Sequence, residues 1–185
     1  SEHIMKKRII IITISMFCTF VSLGQDEKSF LRTKDEISMK VRKYFAPSLD
    51  LPFVNRFYAK DLTVFINDLK IEGKENYLKR LQMIHDDFFK NIKMENLHVH
   101  TNYFSPEALT GDGKTMGEVN SEKQTIWSNA WGTFTGIGRV SGKKVSFRMH
   151  MDFRTKDGQV IEMLSYYDPA HMNAEIEAFK KVRSK

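Results

Sequence analysis

The sequence predicts an α+β fold in which helices come first and a long antiparallel meander follows. Apolar residues recur at helical spacing over 29–45 and again over 74–89. Nearer the C-terminus the apolar period becomes two, as in strands that bury one face. The Gly-containing turns at 141–142 and 157–158 separate three such strands. Helices followed by consecutive strands are typical of an α+β domain with a bent sheet wrapped around its helices.

The first half of the chain is predicted to hold two long helices and a hairpin. The prolines at 47 and 52 end the first helix, and a run of β-branched and aromatic residues marks the first long strand. In order, the predicted elements are a helix over 29–45, a short helix over 54–58, a strand over 62–66, a turn at 67–68, the end of the hairpin at 71–73 and a helix over 74–89.

The second half is predicted to be mostly strand. A Gly- and Asp-rich loop over 105–120 separates a first alternating strand from the meander, and Asp168-Pro169 ends the last strand. In order, the predicted elements are strands over 97–104, 123–139, 144–155 and 159–167 and a terminal helix over 172–182.

Residues 5–24 have the layout of a secretory signal peptide. Three basic residues precede an apolar stretch over 9–23, and Ser22-Leu23-Gly24 fits cleavage before Gln25. Residues 1–4 precede Met5 and are set apart as a candidate expression remnant. We therefore expect a single exported domain over 25–185, periplasmic or secreted. Retention of the apolar stretch as a membrane anchor is the alternative, although the stretch is short for a span.

Charge and cysteine content exclude several classes of function. The formal net charge is +6, but the basic residues are interspersed with acids except in the tail over 180–185. Nucleic-acid binding needs a concentrated basic stripe, so we expect no nucleic-acid partner. The one cysteine, Cys18, lies in the signal segment, which leaves the mature domain without a disulfide or thiolate nucleophile. Phosphate-loop and nucleotide motifs are absent from the sequence, and we expect no cofactor.

Three segments resemble the C-terminal half of the SnoaL-like proteins, which belong to the nuclear transport factor 2-like superfamily. They are WGTFTG at 131–136, SGKKVSF at 141–147 and DGQV at 157–160; residues 57–64 and 71–74 resemble the family's earlier helix and strand steps. The resemblance covers about Phe30 to Asp168. It implies a cone, also called cystatin-like, whose strongly curved antiparallel sheet wraps around N-terminal helices and encloses a pocket. Members are isomerases, cyclases, hydrolases, transport factors or binders, so the fold does not fix a function.

Arg148, His150 and Asp152 alternate along one strand and share a face. The ketosteroid isomerases of this superfamily carry a buried acid that donates a hydrogen bond to the developing oxyanion. By resemblance to them, counting back from the turn at 157–158 places His150 at the position of that acid. His150 is therefore the predicted catalytic acid or base, with Asp152 orienting it and Arg148 binding an anionic group. A solvent-facing polar ladder is the alternative. Where those isomerases carry their catalytic carboxylate, this chain has Ile66.

The same register directs further side chains toward the pocket: Ile161, Met163, Ser165 and Tyr167. The last three are predicted ligand contacts. Trp127 and Trp131 share a face of the preceding strand and are predicted to stack on a planar ligand; packing in the core or at a dimer interface stays open.

His98 and His100 alternate on one strand at a spacing that can bind zinc if a third ligand, His85 or His150, converges. No acid-rich cluster supports them, and we expect no metal site.

Together these observations predict an exported cone domain that binds a small apolar or aromatic molecule. We expect it to pair as a homodimer through the sheet and to leave the membrane once the signal is removed. Two alternatives stay open: a cofactor-independent isomerase, cyclase or hydrolase that uses His150, and a protein-interaction module whose pocket is plugged by Met149, Met163 or Tyr167.

Overall fold

The computed structural model describes residues 30–103 and 126–184. The predicted signal segment, Cys18 and the loop predicted over 105–120 lie outside these ranges. Within them, no helix combines the length and the apolar character needed to cross a membrane.

The described ranges contain helices and strands in the predicted order. The helices are α1 (Glu36–Tyr44), α2 (Leu51–Phe57), α3 (Lys74–Met83), a π-helical turn (Ile84–Phe88) and α4 (Ala170–Arg183). The strands are β1 (Phe30–Arg32), β2 (Tyr58–Ile66), β3 (Leu69–Glu72), β4 (Phe89–Tyr103), β5 (Ile126–Gly138), β6 (Lys144–Lys156) and β7 (Gln159–Tyr167). The α+β prediction is confirmed.

All seven strands form one sheet, in the order β1-β4-β5-β6-β7-β2-β3. Neighbours are antiparallel except β2 and β7, which run parallel, with Val64 opposite Met163. This pairing brings the first long strand beside the last one, so both can line the same interior. The sheet is antiparallel as predicted apart from this one pair.

The first helix is shorter than predicted. Phe30–Arg32 forms β1 and pairs with the end of β4, while α1 begins only at Glu36. The boundary lies there because the Asp35 carboxylate accepts a hydrogen bond from the Ser38 backbone N–H at 3.4 Å, which caps the helix.

The third helix ends earlier, and the following strand begins earlier, than predicted. The α-helix continues as a π-helical turn, and β4 already begins at Phe89. Asn91 and Asn96 have left-handed φ values of 53° beside two register shifts against β5. Such bulges interrupt the two-residue alternation and bend a strand, so the first half of β4 has no strand pattern in the sequence.

Helices α1 to α3 pack on the inner face of the sheet in one apolar cluster. Ile37, Val41, Tyr58, Phe153 and Met163 are fully buried there.

A second cluster lies around the terminal helix. It contains Phe88, Phe89, Phe134, Phe147 and Met172. Side chains from both clusters line the cavity described below.

Glu175 fastens α4 to the turn after β5. This buried carboxylate accepts hydrogen bonds from the backbone N–H groups of Val140 (2.7 Å) and Ser141 (3.2 Å) and from the Ser141 hydroxyl. Gly138 passes so close to Glu175 that a Cβ there would overlap the carboxylate. Close approach of helix and strand therefore requires glycine at this position.

Candidate functional site

The interior of the cone contains a cavity of about 90 Å³. Helices α1 and α3, the π-helical turn, α4 and the inner face of the sheet all contribute to its lining. Five methionines form much of the wall: Met94, Met149, Met151, Met163 and Met172. Because a thioether chain is flexible and polarizable, such a wall can adapt to ligands of different shape.

The polar part of the interior is a group of hydrogen-bonded tyrosines. The hydroxyls of Tyr44 and Tyr77 lie 2.6 Å apart, and those of Tyr58 and Tyr77 each lie 3.6 Å from the Met163 Sδ, to which they donate. Burial raises the pKa of Tyr44 to about 12 and raises the pKa of Tyr58 and Tyr77 well above the usual value. The tyrosines are therefore neutral donors at physiological pH. For Tyr77, which lines the cavity, a ligand oxygen would be a better acceptor than the sulfur.

Arg80 projects from α3 into the same cavity wall. Its Nη2 atom lies 3.5 Å from the Tyr167 hydroxyl, a long hydrogen bond. Its Nε atom is buried and has no hydrogen-bond partner among the described residues.

His85 lines the cavity from the π-helical turn. Burial lowers the pKa of its imidazole, and the nearby Arg139 guanidinium lowers it further, against an opposing effect from Asp86. His85 is therefore biased toward the neutral form. π-helical turns are often found at functional sites.

Met163, Ser165 and Tyr167 lie in the cavity wall, where the sequence placed them. Ile66, which pairs with Ser165, lines it too. None of the described residues in the lining is an aspartate or a glutamate. Contact of Met163, Ser165 and Tyr167 with a ligand stays a prediction.

The predicted placement of Arg148, His150 and Asp152 in the pocket is wrong. These residues share a face of β6, but the face that lines the interior carries Met149, Met151 and Phe153. The side chain of His150 is 46% exposed on the outer face of the sheet.

A bulge in β7 explains the inverted face. Next to the turn, Thr155 pairs with Val160, but the register then shifts, and Arg154 pairs with Glu162. Without that shift His150 would lie opposite Ser165, whereas in the structure Met151 does. A slip of one residue moves every side chain of a strand to the other face. Assigning His150 to the same face as the β7 residues Met163, Ser165 and Tyr167 therefore placed it on the wrong side.

The outer face of the sheet carries a row of large side chains from four adjacent strands. In cross-strand register, the row consists of His98, Trp131, His150 and Tyr166. Trp131 is 43% exposed and Tyr166 is 50% exposed. We call these four residues the outer row.

Hydrogen bonds and ring contacts hold the outer row in place. His98 stacks on Trp131 with ring centroids 4.2 Å apart. His150 Nε2 lies 2.8 Å from the Asp152 Oδ1, which also accepts from the Asn129 side chain. Asp152 thus contacts His150, but outside the cone, where His150 lines an open groove of the outer face together with Trp131, Arg148 and Tyr166. A catalytic role for His150 and Asp152 stays a prediction.

Trp127 and Trp131 both lie outside the cavity. Trp127 is half-buried on the outer face, with the Arg154 guanidinium 6.0 Å from its ring. Exposure of Trp131 excludes the core alternative for that residue. Stacking on a planar ligand inside the cone is thereby excluded for both, because neither ring reaches the interior.

His98 and His100 contact each other, with Nε2 and Nδ1 3.0 Å apart. Within residues 30–103 and 126–184 no group of three or more histidine, cysteine or acidic side chains converges as a metal site. Burial, and the neighbouring His98, lower the pKa of His100.

The polar residues of α1 and α3 that line the cavity, Tyr44, Tyr77 and Arg80, were not predicted as site residues. Tyr77, Arg80 and Leu81 on α3 and Ile84 at the start of the π-helical turn are spaced as one helical face. The position of Arg80 within an otherwise apolar helical stripe was the one sequence feature that could have indicated a charged group facing the interior. Tyr44 has no comparable signal, because an aromatic residue on an apolar face is ordinary core.

Three solved structures show the same fold. A candidate polyketide cyclase of Pseudomonas putida is 14% identical, with a TM-score of 0.53, over 74% of this chain and 94% of that one. A candidate SnoaL-like polyketide cyclase of Shewanella denitrificans is 14% identical, with a TM-score of 0.51, over 77% and 96%. A nuclear transport factor 2-like protein of unknown function from Burkholderia pseudomallei is 14% identical, with a TM-score of 0.50, over 75% and 95%.

At this identity the likeness shows the fold alone. The sequence matches no protein-family model and no curated protein. The chain has the cone fold of the SnoaL-like and nuclear transport factor 2-like proteins, as its sequence resemblance implied.

Proposed function

We propose that this chain, a SnoaL-like cone, is an exported domain that binds a small, largely apolar molecule in its central cavity. The observation that carries the proposal is the cavity itself, with its methionine walls and its group of tyrosine hydroxyls. Ligand sites of this kind are mostly apolar and contain a few polar groups that fix the orientation of the ligand.

Binding is better supported than acid–base catalysis. A general base must lie within hydrogen-bond reach of its substrate, and His150 lies on the opposite side of the sheet from the cavity. The described lining has no carboxylate and has His85 as its one histidine. By the resemblance to the isomerases, Ile66 occupies the position where they carry their catalytic carboxylate.

A plugged interior is also less well supported. Met149, Met163 and Tyr167 line the cavity but leave it open at about 90 Å³. The interaction-module alternative requires these side chains to fill that space.

A homodimer through the sheet is a second part of the proposal. The outer row exposes two large aromatic rings beside imidazole and carboxylate groups. Aromatic residues are enriched at protein interfaces, and a second copy of the chain presents the same groups in a two-fold arrangement.

Binding in the cavity is tested by closing it. Ser165 is buried in the wall, so Ser165→Leu would place extra carbon atoms in the space. Ser146→Leu makes the same change on an exposed position of β6 and is the matched control. Small apolar probes such as toluene and benzamide would be titrated while methionine methyl resonances are followed by NMR.

We expect the probes to shift the methyl signals of Met149, Met151 and Met163 in the wild type and in Ser146→Leu. The same signals should not respond in Ser165→Leu, whose fold is checked by circular dichroism. Probe-induced shifts that persist unchanged in Ser165→Leu, or that are absent from the wild type, would contradict binding in the cavity.

A further inference from the structure

We propose that the molecule bound in the cavity carries a carboxylate, which pairs with the Arg80 guanidinium. This inference rests on the proposed function and adds the chemical class of the ligand. Its basis is the juxtaposition of an apolar cavity and a cation that has no counter-charge among the described residues.

Arg80 is the cation that reaches into the wall from the helical side. A guanidinium has five N–H donors, yet within residues 30–103 and 126–184 the side chain makes one long hydrogen bond, to the Tyr167 hydroxyl at 3.5 Å. The Nε donor is buried and has no partner among the described residues. A buried, unpaired donor destabilises a folded protein unless something accepts from it.

No anion of the described chain neutralises this charge. The cavity lining contains Arg80, His85 and Lys93 as basic residues and has no described acid. No described carboxylate forms an ion pair with Arg80.

The tyrosines do not supply the missing negative charge. Burial raises the pKa of Tyr44 and of Tyr77, so both phenols keep their protons near neutral pH. Neutral hydroxyls beside a guanidinium are additional donors toward an incoming anion.

A carboxylate matches this arrangement of donors. Its two oxygens can accept from the two nitrogens of a guanidinium edge and from a nearby hydroxyl at the same time. The rest of the ligand would lie against the methionines, so the class is a small apolar monocarboxylate, such as an aromatic or short branched-chain acid. Lys93 is exposed at the lining, where its positive charge would favour entry of an anion.

The test compares benzoate with benzamide, which has nearly the same shape and no charge. Both are titrated into the wild-type protein, Arg80→Gln, Arg80→Lys and Lys79→Gln, with methionine methyl NMR reporting occupancy of the cavity. Lys79 is exposed on the same helix, so Lys79→Gln loses the same charge outside the site. Thermal melts check the fold of each variant.

We expect benzoate to bind the wild type more tightly than benzamide, and Arg80→Gln to weaken benzoate roughly 10- to 100-fold while changing benzamide little. Arg80→Lys should retain part of the preference, and Lys79→Gln should retain all of it.

Equal binding of both probes, or a benzoate preference that survives in Arg80→Gln, overturns the carboxylate inference and leaves binding in the cavity intact. Absence of methyl shifts with either probe overturns both. If Arg80→Gln does not fold, Arg80→Lys decides the question. Lysine has a shorter side chain and no planar guanidinium, so the preference for benzoate over benzamide should become smaller. An unchanged preference in Arg80→Lys would contradict recognition by the guanidinium.

Discussion

At the scale of single residues, burial sets the charge of two histidines. His85 on the π-helical turn and His100 on β4 both have a pKa below the ordinary value of 6.5, chiefly because burial disfavours the charged imidazole. Each therefore takes up its proton at a lower pH in the folded protein than in the unfolded chain.

This difference predicts a pH-dependent stability. The unfolded state binds more protons once the pH falls below 6.5, so the stabilisation is fully present above that pH and is lost as the pH falls toward the folded pKa. We expect the free energy of unfolding, measured by urea denaturation, to decrease between about pH 7.5 and about pH 5.5. In the double variant His85→Gln with His100→Gln the decrease should be smaller.

Three exposed carboxylates titrate below that pH window. The pKa values of Asp50, Glu72 and Glu177 are lowered from 3.8 or 4.5 by their hydrogen bonds and lysine partners, so these groups titrate at more acidic pH. An equal loss of stability in the double variant and the wild type would contradict the assignment to the two histidines.

Single residues also show where sequence analysis reaches its limit. Met163, Ser165 and Tyr167 lie in the cavity wall as predicted because β7 alternates without interruption beyond its bulge. Arg80 was missed because a charge beside apolar residues on a helix is usually at the solvent edge. Its role depends on how α3 lies against the sheet, which no local pattern specifies.

At the scale of elements, bulges decide which side chains enter the cone. The long strands β5 to β7 were predictable from their alternation and from the turns between them. The one-residue shift inside β7 was not, because Ile161 and Glu162 fit an uninterrupted strand equally well. For the same reason, the first half of β4, with bulges beside Asn91 and Asn96, had no recognisable strand pattern.

The close contact between α4 and the end of β5 depends on the glycine at position 138. Gly138→Ala forces a Cβ into the buried Glu175 carboxylate and should lower the free energy of unfolding by about 1–3 kcal/mol. Gly136→Ala, two residues earlier, places its Cβ 3.5 Å from the nearest Phe134 atom, an ordinary contact, and should change stability by less than about 1 kcal/mol. Urea denaturation measures both. Equal effects of the two substitutions would show that the approach of α4 does not depend on Gly138.

At the scale of the whole molecule, the sheet separates two surfaces, each with a proposed function. The inner face closes the cavity, and the outer face presents the outer row. The sequence was sufficient for the overall cone, since the order of turns and strands is shared with that fold. It did not identify which face of β6 points into the cone, because alternation shows which residues share a face but not the direction of that face.

If the chain dimerises through the outer row, a charged substitution in that row should lower the molar mass of the particle in solution. Trp131→Glu places a carboxylate at the centre of the row and should convert a dimer to a monomer in light scattering coupled to size-exclusion chromatography. Met39→Glu introduces the same charge at a 52% exposed position of α1 and should leave the dimer intact. A monomeric wild type, or a dimeric Trp131→Glu variant, would contradict pairing through this face.

Occupancy of the cavity is the central claim, and native mass spectrometry tests it most directly. The domain would be purified from its own host under conditions that retain bound molecules, beside Ser165→Leu prepared in the same way. We expect a stoichiometric small molecule in the wild type and none in Ser165→Leu. A wild-type protein that has only its polypeptide mass, and whose melting temperature responds to none of a broad set of small apolar ligands, would contradict the account.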